Sequence, residues 1–182
     1  MSILKVAHMG HPVLRAKARS LAPADFKHAA LQSLIDDMLD TMAEYHGVGL
    51  AAPQIHESLR LFVGLLESPK PEAAKDGADV PEPEPLAIIN PEITPIGDEV
   101  IEDWEGCLSI PDIRGRVPRA REIRLRAFDR EGVRLDLTLR DFPARVAQHE
   151  TDHLDGILFF DRMRSFESLT FLDEYSRYHA KD

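Results

Sequence analysis

The feature that most constrains this chain is the run His149-Glu150-Thr151-Asp152-His153. Two histidines four residues apart stand one helical turn apart on the same face, so both imidazoles can reach a single ion. The flanking Val146, Ala147 and Leu154 predict an amphipathic helix over residues 143–154. Glu150 projects near that face and can take a proton from an activated water without being a ligand itself. Two solvated surface histidines would not need such apolar flanks. Asp152 has two readings on spacing alone: a carboxylate that orients one of the histidines, or a solvated acid on the outer face.

A catalytic site of this kind takes three protein ligands and keeps a place open for water. Three residues compete for the third position. His179 is remote and close to the chain end, and Glu174 lies at the separation expected of a thermolysin-like zinc endopeptidase. Cys107 follows Glu105-Gly106 and precedes Leu108-Ser109-Ile110-Pro111. A thiolate suits a borderline ion, and the adjacent Gly106 lets the backbone approach closely. A lone cysteine is by default a small buried apolar residue. The chemistry puts Cys107 ahead of Glu174, and spacing leaves both open.

The remaining sequence describes what holds such a helix. With 182 residues, 43% of them hydrophobic and 30% charged, the chain suits one globular domain. No stretch approaches the roughly 20 apolar residues of a membrane span, and the N-terminus has no signal-peptide pattern. The single cysteine excludes an internal disulfide and fits a cytoplasmic protein. A net charge of −10 argues against direct nucleic-acid binding. Arg114, Arg116, Arg119, Arg121, Arg124 and Arg126 form a basic cluster whose strand-like spacing reads as a solvated sheet face rather than a polyanion site.

Leu31, Leu34, Ile35, Met38, Leu39 and Met42 recur at helical steps and predict a helix over 24–46, ended by Gly47 and Gly49. Residues 59–66 read as a buried strand, and residues 67–85, rich in Pro and Glu, as a surface loop within the domain. Further strands are expected at 86–90 and 99–102. A hairpin is expected with Ile123, Leu125 and Ala127 on one arm and Val133, Leu135, Leu137 and Leu139 on the other, turned by Asp129-Arg130-Glu131-Gly132. A last amphipathic helix is expected over 166–178. Short strands, one hairpin and three helices, with no internal repeat, predict an α+β domain spanning 1–182.

Three segments resemble those of the peptide deformylases. They are Gly47-Val48-Gly49-Leu50-Ala51-Ala52-Pro53-Gln54, Glu105-Gly106-Cys107-Leu108-Ser109, and Gln148-His149-Glu150-Thr151-Asp152-His153-Leu154-Asp155-Gly156. They occur in the family's order with similar separations. Weaker similarity continues through His11-Pro12-Val13-Leu14-Arg15 and Val117-Pro118-Arg119.

The resemblance implies antiparallel sheets packed around a central metal-binding helix. It implies Cys107, His149 and His153 as ligands of one divalent ion. That ion is usually Fe2+, with Zn2+, Ni2+ or Co2+ as substitutes. The implied reaction is removal of the formyl group from N-formylmethionyl nascent peptides, releasing formate. Glu150 would move the protons, while the Gln54 side-chain amide and the Leu108 N–H would stabilise the oxyanion. Val48, Gly49 and Arg114 would contact the substrate backbone. Val48, Trp104, Phe142 and Val146 are the expected lining of a methionine pocket, although each could serve equally as core. Asp103, Trp104 and His46 depart from the commonest pattern, which bears on pocket shape. Transient proximity to the ribosome is expected of such a substrate. The C-terminal tail, with Asp173, Glu174, Arg177 and Lys181, is not a basic helix that would dock there.

Overall fold

The computed structural model describes residues 2–66 and 84–180. Residues 67–83, most of the surface loop expected from the sequence, lie outside them. The first helix, α1 (Ala29–Glu44), buries Leu31, Ile35, Met38 and Met42, the stripe that its three- and four-residue spacing dictates. It starts later than the sequence predicts. Pro23–Asp25 forms a separate 3-10 turn, and the His28 side chain accepts a hydrogen bond from the Ala30 N–H to cap the helix proper.

Strands β1 (Gly49–Ala51), β2 (Leu61–Gly64) and β3 (Leu86–Pro95) are followed in the chain by β4 (Val100–Cys107) and β5 (Ile110–Ala120). The hairpin β6 (Glu122–Phe128) and β7 (Arg134–Arg140) forms as its alternation predicts. The five strands ordered β1-β2-β3-β6-β7 make one antiparallel sheet. The helix α2 (Phe142–Leu154) carries the two histidines.

The continuous apolar run of β2 follows from its place between two helices. Leu61 and Val63 pack with Ile35, Met38 and Met42 of α1, while Phe62 packs with Ala144, Val146 and Leu154 of α2. A strand covered on both faces has no solvent-facing position left to be polar.

The second sheet is β4, β5 and the two-residue strand β8 (Thr170–Phe171). A third apolar cluster lies against it, where Cys107, Ile110 and Val117 meet Leu14, Leu158 and Phe159. β4 extends well beyond the short strand expected at 99–102, and β5 is not among the expected strands. The predicted helix over 166–178 is also corrected: only α3 (Leu172–Tyr178) is helical. Phe166–Ser168 is a 3-10 turn with Ser165 accepting from the Glu167 N–H, and Thr170–Phe171 pairs with Ile113–Arg114 at the edge of β5. The backbone of 170–171 completes a sheet edge that would otherwise stay unpaired.

Candidate active site

α2 and the end of β4 bring the sequence-selected residues together. The side-chain donor atoms of Cys107, His149 and His153 all lie within 4.8 Å of one another, and Cys107 Sγ is 3.2 Å from His153 Nε2. This donor set fits a borderline divalent ion, with thiolate and imidazole converging from two elements. Glu174 is not part of the cluster. Its carboxylate accepts from Arg177 on α3 at 2.9 Å, so the thermolysin-like arrangement is not formed.

His149 is oriented from behind. Its Nδ1 lies 2.9 Å from Glu105 Oε2, which leaves Nε2 for the cluster. Glu105, two residues before Cys107, is the carboxylate that orients a histidine. Asp152 does not take that place, because its oxygens accept from Arg119 and Arg162. The two acids are joined through Arg119, whose guanidinium donates to Glu105 at 2.9 and 3.0 Å and also to Asp152. Arg145 adds a further donor to Glu105 at 2.7 Å. Arg119 is only 5% exposed, which corrects the reading of all six arginines as a solvated face. The signal for Glu105 was present in the sequence, in an acid two residues from the thiol, but nothing in spacing shows which histidine it reaches.

Electrostatics follow from burial and these partners. Burial raises the Glu105 carboxyl, but hydrogen bonds and charge from His149 and Arg119 outweigh it and hold the group far below the usual carboxylate range. Burial likewise raises the Cys107 thiol, and the His153 charge, with hydrogen bonds to His149 and His153, reverses this and favours the thiolate. His149 is the converse case. Burial lowers it, while Cys107 and Glu105 raise it well above the ordinary histidine value. Metal binding to such a thiolate–imidazolium pair must release a proton.

Glu150 is 4% exposed, and its Oε2 has no hydrogen-bond partner among the described residues. Burial pushes its carboxyl up to about 7; the His149 and His153 charges oppose this, and Cys107 and Glu105 add to it. Gly49 makes room for it. A Cβ at Gly49 would lie 2.8 Å from Glu150 Cγ and nearer still to the carboxylate, so any larger residue displaces Glu150.

Gln54 is held with its amide nitrogen toward the thiol. Its Oε1 accepts from the Ala51 N–H at 2.8 Å, while Nε2 lies 3.2 Å from Ser109 Oγ and 3.5 Å from Cys107 Sγ. A cavity of about 510 Å³ opens over the cluster. Its lining includes Val48, Gly49, Gln54, Leu108 and Arg114, and also Trp104, Phe142 and Val146, the residues expected around a methionine side chain. Arg114 lies across Gly106, where even a Cβ would clash with its guanidinium. Gly106 therefore serves the packing of Arg114 as well as the approach to the cluster.

A helix with paired histidines and a buried glutamate, meeting a thiol at the floor of a cleft, is the arrangement of a metal-dependent hydrolase. The polypeptide deformylase family model matches residues 3–168. The chain is 43% identical to "Peptide deformylase 2" of Nostoc sp. over 99% of its own length and 97% of that protein. It is 42% identical to "Peptide deformylase 1" of Nitrosomonas europaea, covering 94% and 93% of the two chains. Among solved structures, the Thermotoga maritima peptide deformylase superposes with a TM-score of 0.77 at 36% identity, over 91% of this chain and 100% of that one. The class I type b enzyme of Acinetobacter baumannii with Met-Ala-Ser bound gives a TM-score of 0.78 at 37% identity, over 89% and 99%. This chain belongs to the peptide deformylase family, metal-dependent hydrolases that remove the formyl group from an N-terminal methionine.

Proposed function

We propose that residues 1–182 form one catalytic unit. It uses Cys107, His149 and His153 to hold a single Fe2+, with Zn2+, Ni2+ or Co2+ as possible replacements, and acts in the cytoplasm on nascent N-formylmethionyl peptides close to the ribosome. The observation that carries this reading is the convergence of the Cys/His/His donors within 4.8 Å of one another beside a buried glutamate with an unpartnered oxygen. The ion, when bound, supplies Lewis acidity, acidifying water and polarising the formyl carbonyl.

The chain's own residues do the rest. Glu150, buried beside the ligand residues, accepts the proton of the attacking water and returns it to the departing amine, leaving formate and a free N-terminus. Gln54 Nε2 and the Leu108 N–H donate to the oxyanion that develops on the formyl oxygen; one such donor contributes on the order of 3 kcal/mol. Gly49 admits Glu150, Val48 and Arg114 flank the peptide backbone, and the apolar lining receives the methionine side chain. The Met-Ala-Ser held by the Acinetobacter baumannii relative corresponds to the product that this chain would release from formyl-Met-Ala-Ser.

The test is formate release from formyl-Met-Ala-Ser by protein loaded anaerobically with ferrous iron. Turnover is expected, with Glu150→Gln slower by about 100-fold or more and the ferrous enzyme losing activity in air through thiolate oxidation. No release with or without ferrous iron would leave a metal- or peptide-binding module as the better account, and undiminished activity after prolonged aeration would count against iron.

A further inference from the structure

The helix that carries the cluster presents a second face to a second cavity. Phe142, Arg145, Val146 and His149, at three- and four-residue steps along α2, line the catalytic cleft. Gln148, Thr151, Asp152 and Asp155 repeat that spacing on another side of the helix. They line a cavity of about 1010 Å³ that shares no residue with the cleft.

Positive charge gathers around this cavity in a chain whose net charge is −10. Lys17, Arg60, Arg119, Arg162 and Arg164 line it, against Glu92, Asp152 and Asp155. These charges are unequally committed. Asp152 is neutralised by Arg119 and Arg162, and Asp155 by Arg60 at 2.6 Å. The exposed side chains of Lys17 and Arg164 make no hydrogen bond or ion pair among the described residues. A guanidinium has five N–H donors, so Arg60 and Arg162 keep some beyond those their carboxylates use. Thr151 adds an observation of another kind. Its hydroxyl oxygen is buried and has no hydrogen-bond partner among the described residues, an uncommon state for a buried polar group.

Surplus donors, two uncommitted cations and an unsatisfied hydroxyl ask for an anion with many acceptor oxygens. The cations come from three separate segments: Lys17 near the N-terminus, Arg60 before β2, and Arg162 and Arg164 after α2. Donors so distributed suit the oxygens of tetrahedral phosphate, whereas a planar carboxylate is matched by one guanidinium fork. The volume is at the upper end of the roughly 300–1,000 Å³ of ligand cavities, room for more than one phosphate. We propose that this cavity binds a polyphosphate chain, free or as part of a nucleoside triphosphate. Lys17 and Arg164 are its principal contacts, with Arg60, Arg162 and the Thr151 hydroxyl completing the site.

The experiment is isothermal titration of the full-length, nickel-loaded protein at low salt, with tripolyphosphate in one arm and ATP in the other. The wild type should bind one ligand per chain with a Kd below about 1 mM, and more weakly as salt is added. The double variant Lys17→Gln/Arg164→Gln should bind about tenfold more weakly or worse. Glu92→Gln, which removes the uncommitted negative charge, should bind about threefold more tightly. Equal affinities in the two arms support a site for the phosphate chain alone, and tighter ATP binding supports one that also holds the nucleoside. Absence of binding by the wild type overturns the proposal, as does binding that the double variant retains in full. Heat from capture of nickel by the phosphates would persist in that variant, so it falls under the second of these outcomes. Melting temperature and metal content, measured on every variant, report on the fold. Formate release without polyphosphate should be unchanged in the double variant, which keeps failure of this site distinct from failure of the deformylase reading.

Discussion

The two β-hairpins use the same residue type for opposite purposes. In β6–β7 the pairing runs without a break from Glu122 opposite Arg140 to Phe128 opposite Arg134. Its arginines face solvent: Arg124 and Asp136 form two hydrogen bonds of 2.6 Å with both side chains about half exposed. In β4–β5 the register shifts between Glu105 and Cys107, and Arg119 is sealed between Glu105 and Asp152. The regular hairpin is scaffold. The irregular one shapes the site, because the register shift at its tip lies where Cys107 joins the cluster and Glu105 reaches His149. Burial, and not residue type, decides which arginine matters.

The largest expected effect breaks this contrast at Arg119. Arg119→Ala leaves Glu105 and Asp152 buried with fewer partners, and should destabilise the protein by about 3 kcal/mol or more while weakening metal binding. Chemical denaturation together with metal analysis checks both. A small change in stability would mean that Arg145 and Arg162 suffice to compensate the two acids.

A comparable effect is expected from Glu150 in the metal-free protein. Its folded value of about 7 lies above the ordinary 4.5, so the protonated form is the favoured one in the fold. The stability this group permits is complete below pH 4.5 and is lost as pH rises through 7, by ~3 kcal/mol. Because Cys107 and His149 also titrate, the readout is the difference between wild type and Glu150→Gln in denaturation at pH 5 and pH 8. The metal-free variant should lose less stability over that interval. Parallel losses in the two proteins would show that Glu150 is not held neutral by burial.

The smallest effect sharpens the contrast from the other side. Arg124→Ala removes an exposed pair that solvent screens, and should leave melting temperature and metal content unchanged within experimental scatter. A shift as large as that of Arg119→Ala would remove the distinction between the two hairpins.

The same contrast explains what can be read in the sequence. β6–β7 is legible because one face is apolar, the other charged, and Gly132 with φ +82° closes the turn. α1 and α2 are legible from their stripes, and the cluster follows from the two histidines once Cys107 is set beside the family's motifs. β5 is not legible. Its prolines, Pro111 and Pro118, and its arginines obscure the alternation, although Gly115, Val117 and Arg119 all face inward. A buried arginine looks like a surface one until its acids are placed, and those acids, Glu105 and Asp152, come from 14 and 33 residues away in the chain. The C-terminal segment reads in sequence as one amphipathic helix over 166–178, yet Phe166 and Phe171 are both more than 60% exposed. Pairing with β5 decides the conformation of 170–171, and that is a long-range fact.

The site-shaping role of β4–β5 rests most heavily on Cys107, and one measurement reaches it directly. Metal stoichiometry and formate release from formyl-Met-Ala-Ser should be determined together for wild type and Cys107→Ala after anaerobic loading with ferrous iron. The expected result is close to one ion per chain with turnover in the wild type, and loss of both in Cys107→Ala. A Cys107→Ala protein that keeps its ion and its activity would contradict the assignment of the thiol as a ligand, and with it the site-shaping role of the β4 tip.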